Sequence, residues 1–215
     1  MARKTNTWLR IIVHIASILP LAVLIWDFTS GRLSVNPIED ITSRTGTYAL
    51  VWLILSLVCT PINTLSGFKP VMKLRRPLGL YAFMYVCLHL LTFTGLDYGF
   101  NLNAIIQTII EKRYILAGFS AFLLLLPLAI TSTKWWQRRL GRFWRQLHRL
   151  VYVAALLGVL HYVWLVKSDI REPLLYGTAV VALLILRTPY IKNVIKKIRT
   201  PPRQENTHDP QISPN

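Results

Sequence analysis

Acidic residues are scarce: nine Asp and Glu stand against 25 Lys and Arg in 215 residues. Charge of either sign makes up only 16% of the chain, where a soluble domain carries about 25%. A formal charge of +16 would suit a nucleic-acid binder. A chain that is 53% apolar has too little polar surface for that role, and cations placed beside anionic lipid are the other source of such a balance. Cysteine is nearly absent. Cys59 and Cys87 lie inside long apolar runs, so neither a disulfide framework nor CxxC zinc spacing is indicated. The sequence has no CxxCH for covalently attached haem, no GxGxxG for a dinucleotide and no detectable internal repeat.

What the sequence does have is apolar length. A helix that crosses the hydrocarbon core needs about 20 mostly apolar residues. Six segments meet this requirement: residues 8–28, 48–65, 77–96, 114–131, 147–166 and 173–190. The first follows Arg3 and Lys4, as a signal peptide would, but it is too long for an ordinary h-region and no small-x-small cleavage site follows it. It is read as a retained helix. Pro20, Pro61 and Pro127 fall within spans and are expected to bend them, which membrane bundles tolerate.

The cations then set the topology. Arg3, Lys4 and Arg10, Lys69 to Arg76, Lys134 to Arg149, and Arg187 to Arg203 put 19 Lys and Arg on one side of the six spans. Arg32, Arg44, Lys112, Arg113, Lys167 and Arg171 put 6 on the other. The excess marks the cytoplasmic side, so both termini are expected there. Residues 1–7 read as a cytoplasmic N-terminus, 8–190 as the transmembrane domain and 191–215 as a basic, then disordered, cytoplasmic tail. The loop at residues 134–148 interleaves Trp with Arg and reads as an interfacial amphipathic stretch.

Ionisable groups inside a bilayer are costly and are functional candidates. Away from helix ends the spans hold no Asp, Glu, Lys or Arg, but they hold His14, His89 and His161, with His148 at the mouth of the fifth span. Neutral imidazole ligates haem iron, and a bundle core is a natural place for the cofactor. His89 lies 12 residues beyond Pro77 and His161 lies 12 beyond Arg149, on helices that run the same way. Both imidazoles are therefore about 18 Å in from the cytoplasmic edge. Two histidines at one depth can clamp one haem from opposite faces. Gly158, three residues before His161, would leave room for a porphyrin. His148 precedes His161 by 13 residues, about 20 Å of helix. That spacing would stack a second haem, but the matching position on the third span is Arg76. His14 is an additional candidate to complete such a site, although a hydrogen bond to a neighbouring helix is its simpler reading.

Several motifs carry a family resemblance. They are RRPLGLY at 75–81 leading to CLHL at 87–90, QRRLGRFWRQLHRLVY at 137–152, HYVW at 161–164, NPIEDITSRTG at 36–46 and Thr60-Pro61. The chain resembles the ferric-reductase-like transmembrane family across residues 8–190. Within it the likeness is to haem-binding membrane subunits of bacterial methionine sulfoxide reductase systems. The resemblance implies a b-type haem protein of the bacterial inner membrane, with one or two haems. It implies a periplasmic molybdopterin reductase as partner, which repairs oxidised proteins. It also implies electrons from the quinone pool or a cytoplasmic flavin reductase, and an association with FMN. His89, His148 and His161 fall on the family's haem-ligand positions, whereas Arg76 stands where larger ferric reductases and NADPH oxidases have a fourth histidine.

The expectation is an all-α, six-helix transmembrane bundle with haem held between helices. It would act as an electron-transfer subunit and would not perform the sulfoxide chemistry itself. Arg75, Arg76, Arg142 and Arg145 lie where they could neutralise haem propionates or a flavin phosphate, although an ordinary positive-inside role is the simpler reading of each. A stand-alone ferric or haem reductase that takes NAD(P)H directly would need a nucleotide-binding domain. A cofactor-free transporter would call for inverted repeats and broken helices.

Overall fold

The computed structural model describes residues 2–166 and 169–188, and its described residues are all-helical. Among the described residues nine α-helices follow one another: α1 Ala2–Thr29, α2 Pro37–Ser66, α3 Arg75–Leu91, α4 Leu102–Glu111, α5 Arg113–Ile130, α6 Lys134–Leu140, α7 Arg142–Leu147, α8 Leu150–Leu165 and α9 Arg171–Ile185. Among the described residues, five stretches are long and apolar enough to cross a membrane: Thr7–Thr29, Pro37–Ser66, Arg75–Asp97, Arg113–Ile130 and Arg142–Leu165. The chain is an all-α membrane bundle. The sixth expected span appears as α9, 15 residues long, followed by a turn over 186–188, and residues 189–190 of that segment lie outside the described residues.

The helix ends follow from local chemistry. The second span begins 11 residues earlier than its apolar run suggests, at Pro37 rather than Tyr48. Asn36 caps it by accepting from the Glu39 N–H at 3.3 Å, Pro37 occupies the first turn where no N–H is needed, and Glu39 and Asp40 suit the positive end of the helix. Arg44 in the next turn bonds Asp27 of α1 and Asp40, each at 2.7 Å. These pairings let a charged segment continue the helix. α2 stops at Gly67, whose φ of +71° is the left-handed C-cap that glycine adopts without strain. The third span ends in a wide turn, Thr92–Asp97, and α4 then fills part of the following loop. A glycine at φ +50°, Gly141, separates α6 from α7.

The core lies where α2, α3, α5, α8 and α9 meet. Leu57, Ala82, Tyr85, Ala154, Ala155 and Val180 are sealed there. The alanines let helix backbones approach closely, which is how helices associate when lipid is as apolar as their side chains. α1 is peripheral and turns Ile11, Ile12, Ile15, Ile18 and Leu19 outward, as a lipid-facing helix does. Pro61 has no N–H, so the Leu57 carbonyl four residues earlier loses its helical donor. Arg187, at the end of α9, supplies one: Nη2 donates to Leu57 O and Nη1 donates to the Tyr152 hydroxyl at 2.7 Å.

Candidate functional site

Four helices hold the two equal-depth histidines. His89 on α3 packs against α2, where its Nδ1 pairs with the Thr42 carbonyl at 2.8 Å. His161 on α8 packs against α5, where its Nδ1 pairs with the Tyr114 carbonyl at 2.6 Å. A carbonyl only accepts, so each Nδ1 carries the proton and each Nε2 keeps its lone pair. The two rings come within 6.0 Å of one another, centre to centre, with their planes at 82°. Metal–imidazole bonds are about 2 Å long, and a ring centre lies roughly another 1 Å behind its nitrogen. An iron shared by two Nε2 atoms therefore sets the ring centres about 6 Å apart. The pair fits axial ligation of haem in spacing, tautomer and backing hydrogen bonds, the last being the usual partners of a metal-bound histidine. Among the described residues no three or more His, Cys, Asp or Glu gather to hold a bare metal ion.

The two halves of the site repeat each other. Both histidines lie 47 residues after the carbonyl that orients them. In both halves a glycine stands four residues after that carbonyl, Gly46 in α2 and Gly118 in α5. A Cβ on Gly46 would lie 3.1 Å from His89 Nδ1, and one on Gly118 would lie 2.7 Å from His161 Nδ1. So each ring rests on a glycine of the neighbouring helix. Reading the sequence for spans and histidines misses both glycines, because the contact crosses between helices. Gly158, the glycine singled out by spacing, meets only Leu50 Cδ1 at 3.9 Å, so it is roomy but does not touch the imidazoles.

The other two candidates lie elsewhere. His148 sits in the turn between α7 and α8. Its Nε2 is 3.2 Å from the Thr131 hydroxyl, and its ring centre is 4.0 Å from that of Trp144. Trp144 in turn donates its indole N–H to the Thr131 carbonyl at 2.9 Å. His14 is exposed on α1, with Nδ1 2.8 Å from the Tyr81 hydroxyl of α3. No ring contact joins His14 to His148 among the described residues.

The electrostatics are polarised along the bundle. Every described acid, namely Asp27, Glu39, Asp40, Asp97, Glu111, Asp169 and Glu172, lies toward one end, at or beside the C-termini of α1, α3, α4 and α8 or the N-termini of α2 and α9. The opposite end, from Lys69 to Arg76 and Lys134 to Arg149 together with Arg187, has no described acid.

Comparison with known proteins places the chain in a family. The family described as "Ferric reductase like transmembrane component" matches residues 45–159. A protein of Xanthomonas euvesicatoria pv. vesicatoria is 46% identical over 190 residues, covering 84% of this chain and 87% of the relative. One from Rhodospirillum rubrum is 48% identical over 179 residues, covering 83% and 86%, and one from Herminiimonas arsenicoxydans is 44% identical over 184 residues, covering 84% of each. All three are named "Protein-methionine-sulfoxide reductase heme-binding subunit MsrQ". The chain belongs to this MsrQ branch of the ferric-reductase-like transmembrane family. The family match runs from within α2 to within α8, taking in Gly46, His89, Tyr114 and Gly118 and stopping short of Thr42 and His161.

Proposed function

We propose that this chain is the b-type haem subunit that relays electrons across the bacterial inner membrane to a periplasmic molybdopterin reductase, which repairs methionine sulfoxide in oxidised proteins. Quinol, or a cytoplasmic flavin reductase acting through FMN, is the donor in this reading. The observation that carries it is the 6.0 Å pairing of His89 and His161, each with Nδ1 spent on a backbone carbonyl.

Haem held there supplies a one-electron couple. The protein's part is to fix both imidazoles, keep their tautomer and surround them with helices. His89 and His161 are the axial pair in this reading, and His148 is the candidate ligand of a second, inner haem. The acid-free end faces the cytoplasm by the positive-inside rule, and its guanidinium groups suit propionates or the phosphate of FMN. The acidic end faces the periplasm and the partner reductase.

The test is reconstitution in liposomes, with quinol or a flavin reductase inside and the molybdoenzyme outside. The purified chain should show a Soret band that sharpens on reduction. The complete system should repair methionine sulfoxide, and His161→Ala should abolish both the band of that haem and the repair. A colourless protein, or full repair by His161→Ala, refutes the reading.

A further inference from the structure

Each backing carbonyl already has a helical donor, because the N–H of residue i bonds the carbonyl of residue i−4. Gly46 and Gly118 are those residues for Thr42 and Tyr114. In a helix the Cβ of residue i leans toward the preceding turn, so a side chain at either position would cover the carbonyl that the histidine must reach. Absence of that side chain opens the carbonyl sideways and lets the imidazole lie on the helix backbone.

We propose that Gly46 and Gly118 are positioning residues that set the orientation of His89 and His161 and hold each Nδ1–H on its carbonyl. The proposal rests on these histidines being haem ligands. The two positions are unequal. At Gly118 an added Cβ would stand 2.7, 3.0 and 3.1 Å from Nδ1, Cε1 and Cγ of His161. The whole near edge of that ring is in the way, and the ring is held by a carbonyl at 2.6 Å. At Gly46 the closest approaches are 3.1 Å to Cε1 and Nδ1 and 3.9 Å to Cγ of His89, so a shift of a few tenths of an ångström relieves the contact. An alanine at 118 therefore turns His161 off Tyr114, whereas one at 46 only displaces His89. The carbonyl raises the basicity of its imidazole, and a more basic ligand favours ferric over ferrous iron. Losing it at His161 should cut the ferric preference about tenfold, which raises the midpoint potential by about 59 mV for one electron.

The experiment compares wild type, Gly118→Ala and Gly46→Ala. Each is purified in detergent and read by EPR of the ferric low-spin haem, by potentiometric titration, and by haemin titration of protein made under haem limitation. Gly118→Ala should change the low-spin g values, raise the potential and weaken loading. Gly46→Ala should move the same quantities less. Wild-type g values and potential in Gly118→Ala overturn the proposal. Should Gly118→Ala not accumulate as folded protein, Gly46→Ala decides by the same readouts, and wild-type values there overturn it. Wild-type protein without haem overturns the functional reading and this proposal together. Haem present but indifferent to the glycines overturns this proposal alone.

Discussion

Removing Arg187 should destabilise the acid-free end of the bundle, and the loss should depend on a proline in another helix. Arg187→Met keeps the length of the side chain and deletes two donors, one to the Tyr152 hydroxyl at 2.7 Å and one to the Leu57 carbonyl. A bond from a charged donor contributes about 1.5–3 kcal/mol in a soluble interior. Interhelical bonds within a bilayer average about 0.6 kcal/mol and reach about 1.7. Arg187 is partly exposed at a helix end, so the lower scale applies; its charge puts each bond above that average, at about 1 kcal/mol, and the two together at about 2 kcal/mol. About half of that belongs to Leu57, whose carbonyl is free only because Pro61 has no N–H. Pro61→Ala restores a helical donor to Leu57. In that background Arg187→Met should cost about 1 kcal/mol, leaving a coupling of about 1 kcal/mol between the two residues. Unfolding of wild type, both single variants and the double variant in mild detergent, followed by circular dichroism, measures the cycle. Independent sites add within about 0.3–0.5 kcal/mol. An Arg187→Met cost that is equal in the two backgrounds would show that Pro61 does not create the acceptor.

Three further outcomes are expected. His148→Ala should keep the haem held by His89 and His161, because its side chain contacts Thr131 and Trp144; pyridine haemochrome should find haem remaining, and complete loss would contradict the separation of the two levels. Reporter fusions at residues 32–36 should signal the periplasm and those at 67–74 the cytoplasm, and reversed signals would invert the direction of transfer. Arg44→Ala, which breaks ion pairs of 2.7 Å to Asp27 and to Asp40 in a partly exposed setting, should cost about 1 kcal/mol and less at high salt; a cost insensitive to salt would point to packing instead.

Apolar run length, cation placement and histidine spacing are one-dimensional properties, and they determined the membrane bundle and the depth match of His89 with His161. Helix rise converts residue count to depth without knowledge of neighbours, so the pairing of these two rings was legible before any fold. Other features depended on packing. The start of α2 at Pro37 was hidden because its first turns are polar, and only the meeting of Arg44 with Asp27 of another helix lets them continue. Gly46 and Gly118 look like any helical glycine until a second helix lays an imidazole across them. The likeness between the two halves escaped notice for the same reason. A carbonyl, a glycine one turn on and a distant histidine form a unit through backbone geometry, which few side-chain identities record. Arg187 reads as one more topology-setting cation, and its role in closing the gap left by Pro61 exists only because α9 ends beside α2. The sequence by itself determined which segments are apolar enough to enter a membrane and that two histidines lie equally far along theirs; the tertiary structure decided which backbone atoms hold those histidines, because those bonds join helices far apart in the chain.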